Sequence, residues 1–313
     1  MSEINEKNYS VILYYKYIRI INPEEFKKQH FDYCKKINLV GRVIVSFEGI
    51  NGTLSGLQEN INQYISFMQK QKDFNDINFQ IEHVTKNVFR KLSIKFKEEI
   101  VSLKLDKDLF PPDVSKNYLK PKEFYQLLQE KNVLVLDVRN NYEYSLGHFQ
   151  NAINPDINNF RDLPYWLEKN LDILKNKKIL TYCTGGVRCE KISAFLKIKG
   201  IDEVYQLKGG IVAYSQDKEI KGQLFNGKVY VFDQRIVSEA NHQKHVIVGK
   251  DFFDQTPCER YINCANPICN KQILCSEENE HKYLGSCSIK CRQHYLNRYK
   301  LRNISTNDFT KIS

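Results

Sequence analysis

A chain of 313 residues, 42% hydrophobic and 27% charged, is long enough for two or three packed domains and too evenly mixed to be disordered or fibrous. No run of 18 apolar residues occurs, which excludes a membrane-spanning helix, and the first residues lack an apolar secretory core. A cytoplasmic protein is expected, its nine cysteines serving as thiols or metal ligands rather than disulfides, and the net charge of +10 points to a polyanionic partner such as nucleic acid.

Residues 1–105 read as a small separate α+β domain. Tyr9 to Tyr17 is a β-branched and aromatic strand. Asn22-Pro-Glu-Glu25 is a capping box with Pro23 at the first helical position, and the helix runs to about Ile37 with Cys34 in the core. Val40 to Phe47 is a second strand, ended by Glu48-Gly-Ile-Asn-Gly52. Thr53 and Leu54 begin a short third strand. Ser55 and Gln58 make a second capping box, opening a helix through Ile61, Ile65 and Met68. Asn78 to Val84 alternates as a fourth strand. The order β-α-β-β-α-β is the ferredoxin-like split motif. Arg90, Lys91 and Lys95 follow, interleaved with Phe89 and Phe96. That mixture suits phosphate contact and base stacking, and it equally suits a lysine-guarded edge strand.

Residues 106–117, with Pro111-Pro112, form a linker, and 118–222 a second domain whose first helix starts at Pro121. Its centre is Ile179 to Glu190: four β-prone residues, Cys183, a loop with Gly185 and Gly186, then a helical pattern at Ile192, Phe195 and Leu196. Strand, tight loop and helix put loop amides and a helix N-terminus around the sulfur, which lowers a thiol pKa. Arg188 adds a full charge, and Cys189 stands close enough on the loop to act as a resolving thiol. Thr184, Gly185, Gly186 and Val187 form the cradle, which could hold a persulfide, a sulfenate or an oxyanion. Upstream stand Asp137-Val-Arg139, Glu143 and Gly147-His148; downstream stands Gly209-Gly210. These come in the order and spacing of rhodanese-like domains, a resemblance that implies a parallel sheet and a persulfide-forming role for Cys183. Arg188 follows Cys183 by five positions, one short of a Cys-x5-Arg phosphatase loop, so the smaller loop suits sulfur better than phosphate. Asp137 and Arg139 read as a structural pair.

Residues 223–313 form a cysteine-rich region. Gly227 to Val237 is an alternating strand leading out of the central sheet. Cys258, Cys264, Cys269, Cys275, Cys287 and Cys291 then crowd together, with His281 and His294 among them. In a cytoplasmic chain this density argues for a structural zinc, but the irregular spacings do not single out the ligands. Residues 281–306 carry six lysines and arginines and no acid, with Tyr283, Tyr295 and Tyr299 interleaved. Arg298, Lys300 and Arg302 are candidate phosphate contacts.

Together these regions, with Glu48 to Gly52, Lys95 to Val101 and Val229 to Asp233 in support, resemble the bacterial rhodanese-domain tRNA uridine hydroxylases. The resemblance spans nearly the whole chain. It implies hydroxylation of the wobble uridine of tRNA to 5-hydroxyuridine, with molecular oxygen as co-substrate. No flavin or nicotinamide fingerprint occurs in the sequence. A thiosulfate or persulfide sulfurtransferase is the enzymatic alternative, and a non-catalytic RNA-binding adaptor the alternative from another class. Nothing in the sequence specifies an oligomeric state.

Overall fold

The computed structural model describes residues 8–104, 109–114 and 117–302. The first sheet is built from β1 (Tyr9–Tyr17), β2 (Val40–Ser46), β3 (Gly49–Leu57), β4 (Phe79–Val84) and β5 (Leu92–Phe96). The order is β4-β1-β3-β2-β5, antiparallel except that β5 runs parallel to β2. Its first four strands have the ferredoxin-like order, with α1 (Pro23–Lys36) and α2 (Gln58–Gln69) between them in sequence. Asn22 caps α1 through its side chain, which accepts from the Glu25 amide.

Strand alternation divides the sheet into two faces. Ile12, Tyr14, Val43, Val45, Ile50 and Leu54 pack with Cys34, Ile61, Tyr64 and Met68 in one core. The opposite parity puts Leu13, Tyr15, Arg42, Ile44, Asn51 and Thr53 in register on a face without helices. That open face meets the second domain.

Two local expectations fail here. The third strand is not short: Gly49 to Gly52 are strand residues, and only Phe47 and Glu48 turn. Ser55 is no cap, because it lies in β3 opposite Val11 and Val40, and its hydroxyl bonds Asn87 and the Val88 amide. Gln58 instead begins α2 with its amide on the Asn8 carbonyl. Sheet pairing outweighs a local capping pattern because every strand residue there has two neighbours. Phe89, proposed for stacking, is buried against Val11 and Val88.

The predicted linker 106–117 falls partly outside the described residues. Its described part contains the short helix α3 (Pro111–Val114). Leu103 and Leu109, at either end of the undescribed 105–108, pack on the core of the second domain. That domain has a four-stranded parallel sheet of β6 (Tyr118–Leu119), β7 (Val133–Asp137), β9 (Lys178–Tyr182) and β10 (Val204–Leu207), in the order β6-β10-β9-β7. Around it lie α4 (Pro121–Leu127), α5 (Asn141–Leu146), α6 (Leu163–Lys169), α7 (Leu171–Leu174), α8 (Val187–Ile198) and α9 (Gly210–Gln216). Between α5 and α6 runs β8 (Gly147–Phe149). The two faces of the sheet each carry an apolar cluster, one including Leu136, Ile179 and Ile192, the other Val135, Leu180 and Tyr214.

The single strand expected at 227–237 is broken. β11 (Phe225–Gly227) pairs with β8, and β12 (Val229–Tyr230) folds back on β13 (Val237–Ser238). Asp233 makes the turn, bonding the backbone and guanidinium of Arg235, and Ile236 sits at φ +66°. β14 (Tyr261–Asn263), β15 (Gln272–Leu274), α10 (Glu277–Lys282) and α11 (Ile289–Gln293) complete the tail. Among the described residues no helix is long and apolar enough to cross a membrane.

Candidate active site

Cys183 directly follows β9 at the carboxyl edge of the parallel sheet, where the next residues must turn sharply into α8. Gly186 makes that turn at φ +106°, a conformation L-residues rarely adopt, and aims its amide at Cys183 Sγ, 3.1 Å away. A side chain there would also strike the Tyr15 ring. The amides of Arg188 and Cys189 also point at the sulfur. The carbonyls of Cys183 and Thr184 are taken by the Ile211 and Val212 amides, so the Gly209-Gly210 turn braces the loop from behind.

Burial alone would push the Cys183 thiol up. The Cys189 thiol, the Arg188 charge and the loop amides outweigh it, and the pKa falls to about 5. Cys183 is therefore a thiolate at neutral pH. Cys189, also fully buried, is driven well above the ordinary thiol range, first by burial and then by donating to Cys183. It stays protonated beside the thiolate.

Glu143 is a residue of this site that the sequence marked only as part of a motif. It is completely buried, and its carboxylate takes both Arg188 terminal nitrogens at 2.6 and 2.7 Å and the Thr184 hydroxyl at 3.3 Å. The same carboxylate accepts the Asn140 amide ahead of α5. The Asn140-x-x-Glu143 spacing was the available signal: a first-turn acid that caps its own helix is held in a fixed position. Asp137 and Arg139 are a buried structural pair, bonded further to Tyr182 and the Gly147 carbonyl.

The open face of the first sheet covers this loop. Tyr17 donates to the Val187 carbonyl at 3.0 Å, and Tyr15 donates to Glu190 at 2.8 Å. Glu190 is buried and also accepts from Tyr118 and Gln206; burial raises its pKa. Lys191, 4% exposed, reaches from α8 to Glu48 at 3.0 Å and Glu99 at 2.5 Å. Four of the first five positions of α8, Val187, Arg188, Glu190 and Lys191, thus tie the loop to the first domain or to Glu143.

Between the domains lies a cleft of about 610 Å³, with Cys183 and Thr184 on its floor. Tyr142 and Phe232 line it, with Arg42 from β2 and Arg161 beside them, both exposed. Among the described residues no carboxylate lines it.

In the tail, the structure brings together Cys264, Cys269, Cys287 and Cys291, whose sulfurs all lie within 4.8 Å of one another. This cluster could hold a metal ion. Cys258 and Cys275 are elsewhere: Cys258 packs with Leu146 and Tyr261, Cys275 with Ile262 and Ile273. Burial pushes Cys275 up to about 12, which suits a core thiol. Neither His281, which bonds Tyr299, nor His294 belongs to the cluster.

The basic candidates separate too. Arg90, Lys91, Lys95 and Lys300 are exposed, as is Arg302, whereas Arg298 spends its guanidinium on the Cys264 and Ala265 carbonyls and on Asn270.

Comparison with known proteins divides the chain as the sheets do. Residues 9–100 match the UPF0176 acylphosphatase-like domain, 120–217 the rhodanese-like domain and 226–292 the rhodanese C-terminal domain. A tRNA uridine(34) hydroxylase of Aster yellows witches'-broom phytoplasma is 57% identical over 302 residues, 96% of this chain and 97% of the relative. The protein of that name from Acholeplasma laidlawii is 53% identical, covering 97% of this chain and 96% of the relative. The one from Bacillus licheniformis is 51% identical, covering 94% and 91%.

Proposed function

The chain belongs to the tRNA uridine(34) hydroxylase family, and from that premise we propose that it hydroxylates uridine 34 of tRNA to 5-hydroxyuridine in the cleft above Cys183, with molecular oxygen as co-substrate, in the cytoplasm. The observation that carries this reading is Cys183, held as a thiolate, in the lining of a cleft of about 610 Å³ that also includes Arg42 and Arg161 and, among the described residues, no carboxylate. Tyr142 and Phe232 offer faces for an unpaired base, and Arg42 and Arg161 stand where flanking phosphates would lie. An anticodon base is already single-stranded, so presenting it costs less than flipping one from a duplex.

Cys183 is the redox-capable atom of the cleft. It is fully covered, so a group added to it reaches the substrate better than the sulfur does. A persulfide carries its outer sulfur about 2 Å further out, and a sulfenate adds an oxygen. Hydroxylation by molecular oxygen places one oxygen atom on C5 and reduces the other to water, which takes two electrons and two protons from an external reductant such as a small thiol. The thiolate–sulfenate couple at Cys183 is a two-electron couple through which those electrons can pass. The roles that follow are the reacting sulfur for Cys183, proton donation to it for Cys189, and charge balance for Arg188.

Exposed Arg90, Lys91, Lys95, Lys300 and Arg302 extend the basic surface for tRNA phosphates, and Arg298 supports it by holding the tail together. The tail cluster suits zinc, since four thiolates form a closed tetrahedral donor set. Held by Cys264, Cys269, Cys287 and Cys291, the ion cross-links the two halves of the tail and takes no part in the chemistry.

Nucleoside analysis of tRNA from a deletion strain tests the reading. Position-34 5-hydroxyuridine should be lost and should return with the wild-type gene. Loss of a thiolated base instead would make the protein a sulfurtransferase, and no change would make it an adaptor.

A further inference from the structure

A second groove, about 690 Å³, runs between the second domain and the tail. One wall is α5 and β8, with Tyr142, Ser145 and His148. The other is the tail, with Lys250, Phe252 and Lys271. Tyr142 lines both this groove and the Cys183 cleft, so the two cavities meet across one aromatic ring. Among the described residues the groove lining contains two lysines and several side-chain amides but no carboxylate. Among the described residues neither lysine has an acidic partner, although the chain has 37 acids to offer. Lys271 instead lies 5.0 Å over the face of Phe252, which is 40% exposed.

Both lysines are held by their backbones. The Cys264 amide donates to the Lys271 carbonyl at 2.7 Å, so the cysteine cluster sets the position of Lys271. Lys250 bridges to Pro257, next to the Cys258 amide on the Gly249 carbonyl. Two unpaired cations on fixed backbone, beside an exposed aromatic face and amide donors, make a surface for a phosphodiester chain with an unstacked base.

We propose that this groove is the second half of the substrate site. With nucleotide 34 in the cleft, the neighbouring strand of the anticodon loop passes over Tyr142 and lays its phosphates against Lys250 and Lys271. The inference rests on tRNA being the substrate. It gives the cysteine cluster a task in recognition: holding Lys271 in place.

The test is binding by fluorescence anisotropy, with two probes. One is an anticodon stem-loop RNA carrying uridine 34, and the other a trinucleotide centred on uridine, too short to fill both cavities. Lys250→Ala with Lys271→Ala should weaken stem-loop binding about tenfold or more and lower its salt slope by about 1.4 to 1.8, the share of two phosphate contacts. Trinucleotide binding should change less than about twofold, since it gains little from distant cations. The Lys250→Arg, Lys271→Arg protein should bind the stem-loop like wild type, which separates charge from folding. Unchanged stem-loop affinity and slope would overturn the proposal and leave the groove to another partner. Equal losses for both probes would overturn it too, as a general charge effect. A protein that binds through the groove yet leaves uridine 34 unmodified would refute the hydroxylase reading and not this one.

Discussion

At Cys183 the protein itself supplies the positive potential that holds one thiolate, whereas at Cys264, Cys269, Cys287 and Cys291 it gathers four thiols and supplies almost none. In the first site the neighbouring thiol, Arg188 and the loop amides overcome complete burial and bring the pKa to about 5. In the second, burial and the neighbouring sulfurs push Cys287 up to about 12, and burial raises Cys264. Cys291 is drawn down, to about 7, chiefly by the Ser288 side chain. One site is complete as folded. The other would be stabilised as a set of thiolates by a cation at its centre.

The largest effect expected from this contrast is at Cys183. Cys183→Ser removes little volume, so the fold should persist, while activity on tRNA should fall at least about a thousandfold, the scale of losing a covalent nucleophile. Activity retained in purified Cys183→Ser would move the chemistry to another group. Next is metal removal. Purified protein should carry about one zinc per chain, and strong chelation should release the tail to proteolysis while the Cys183 domain keeps its fold. A metal-free protein with a protected tail would erase the difference between the two sites.

A smaller effect should appear in titration. The thiolate absorbance of wild type, less that of Cys183→Ser, should rise with a midpoint near 5. The folded pKa lies below that of an ordinary thiol. Ionisation of Cys183 therefore favours the folded state fully above about pH 8.5, and that contribution is lost as pH falls towards the folded value. Cys189→Ala removes a hydrogen bond to a charged sulfur, typically about 1.5–3 kcal/mol, so the midpoint should rise by about one to two units. No rise would show that Arg188 and the amides hold the thiolate without Cys189 and would leave Cys189 free to act as a resolving thiol.

The contrast also explains how much could be read from sequence. The Cys183 site is contiguous: Tyr182 to Cys189 contains the sulfur, the turn glycines, the amides and the arginine, so periodicity and glycine placement reveal it. The ferredoxin-like order is legible for the same reason, strand and helix periods being local. The metal set is not local. Cys258 and Cys275 have the same spacing character as the four clustered cysteines, and only the fold of the β14–β15 hairpin buries them among Leu146, Tyr261 and Ile273. Ser55 misleads in the same way, because its partners on β1 and β2 come from distant sequence. Arg298 reads as a surface cation, yet its guanidinium is occupied by carbonyls 28 to 34 residues away.

The smallest predicted effect probes the part of the Cys183 site that is not local. Tyr15 belongs to the first domain, and its hydroxyl is one of three side-chain groups donating to Glu190. Its ring fills the space beside Gly186, the residue that aims an amide at the sulfur. Tyr15→Phe keeps the ring and removes only the hydroxyl. Glu190 retains Tyr118 and Gln206, so kcat on the stem-loop should fall only about threefold, less than a full charged hydrogen bond would be worth. Tyr15→Leu also opens the space over Gly186. It should cost more, and the Cys183 absorbance midpoint should rise because the amide is no longer held on the sulfur. That rise separates positioning from plain destabilisation, which would lower the amount of folded protein without moving the midpoint. A hundredfold loss from Tyr15→Phe would place the hydroxyl in the chemistry itself. No change from either variant would mean that the first domain covers the loop without positioning it.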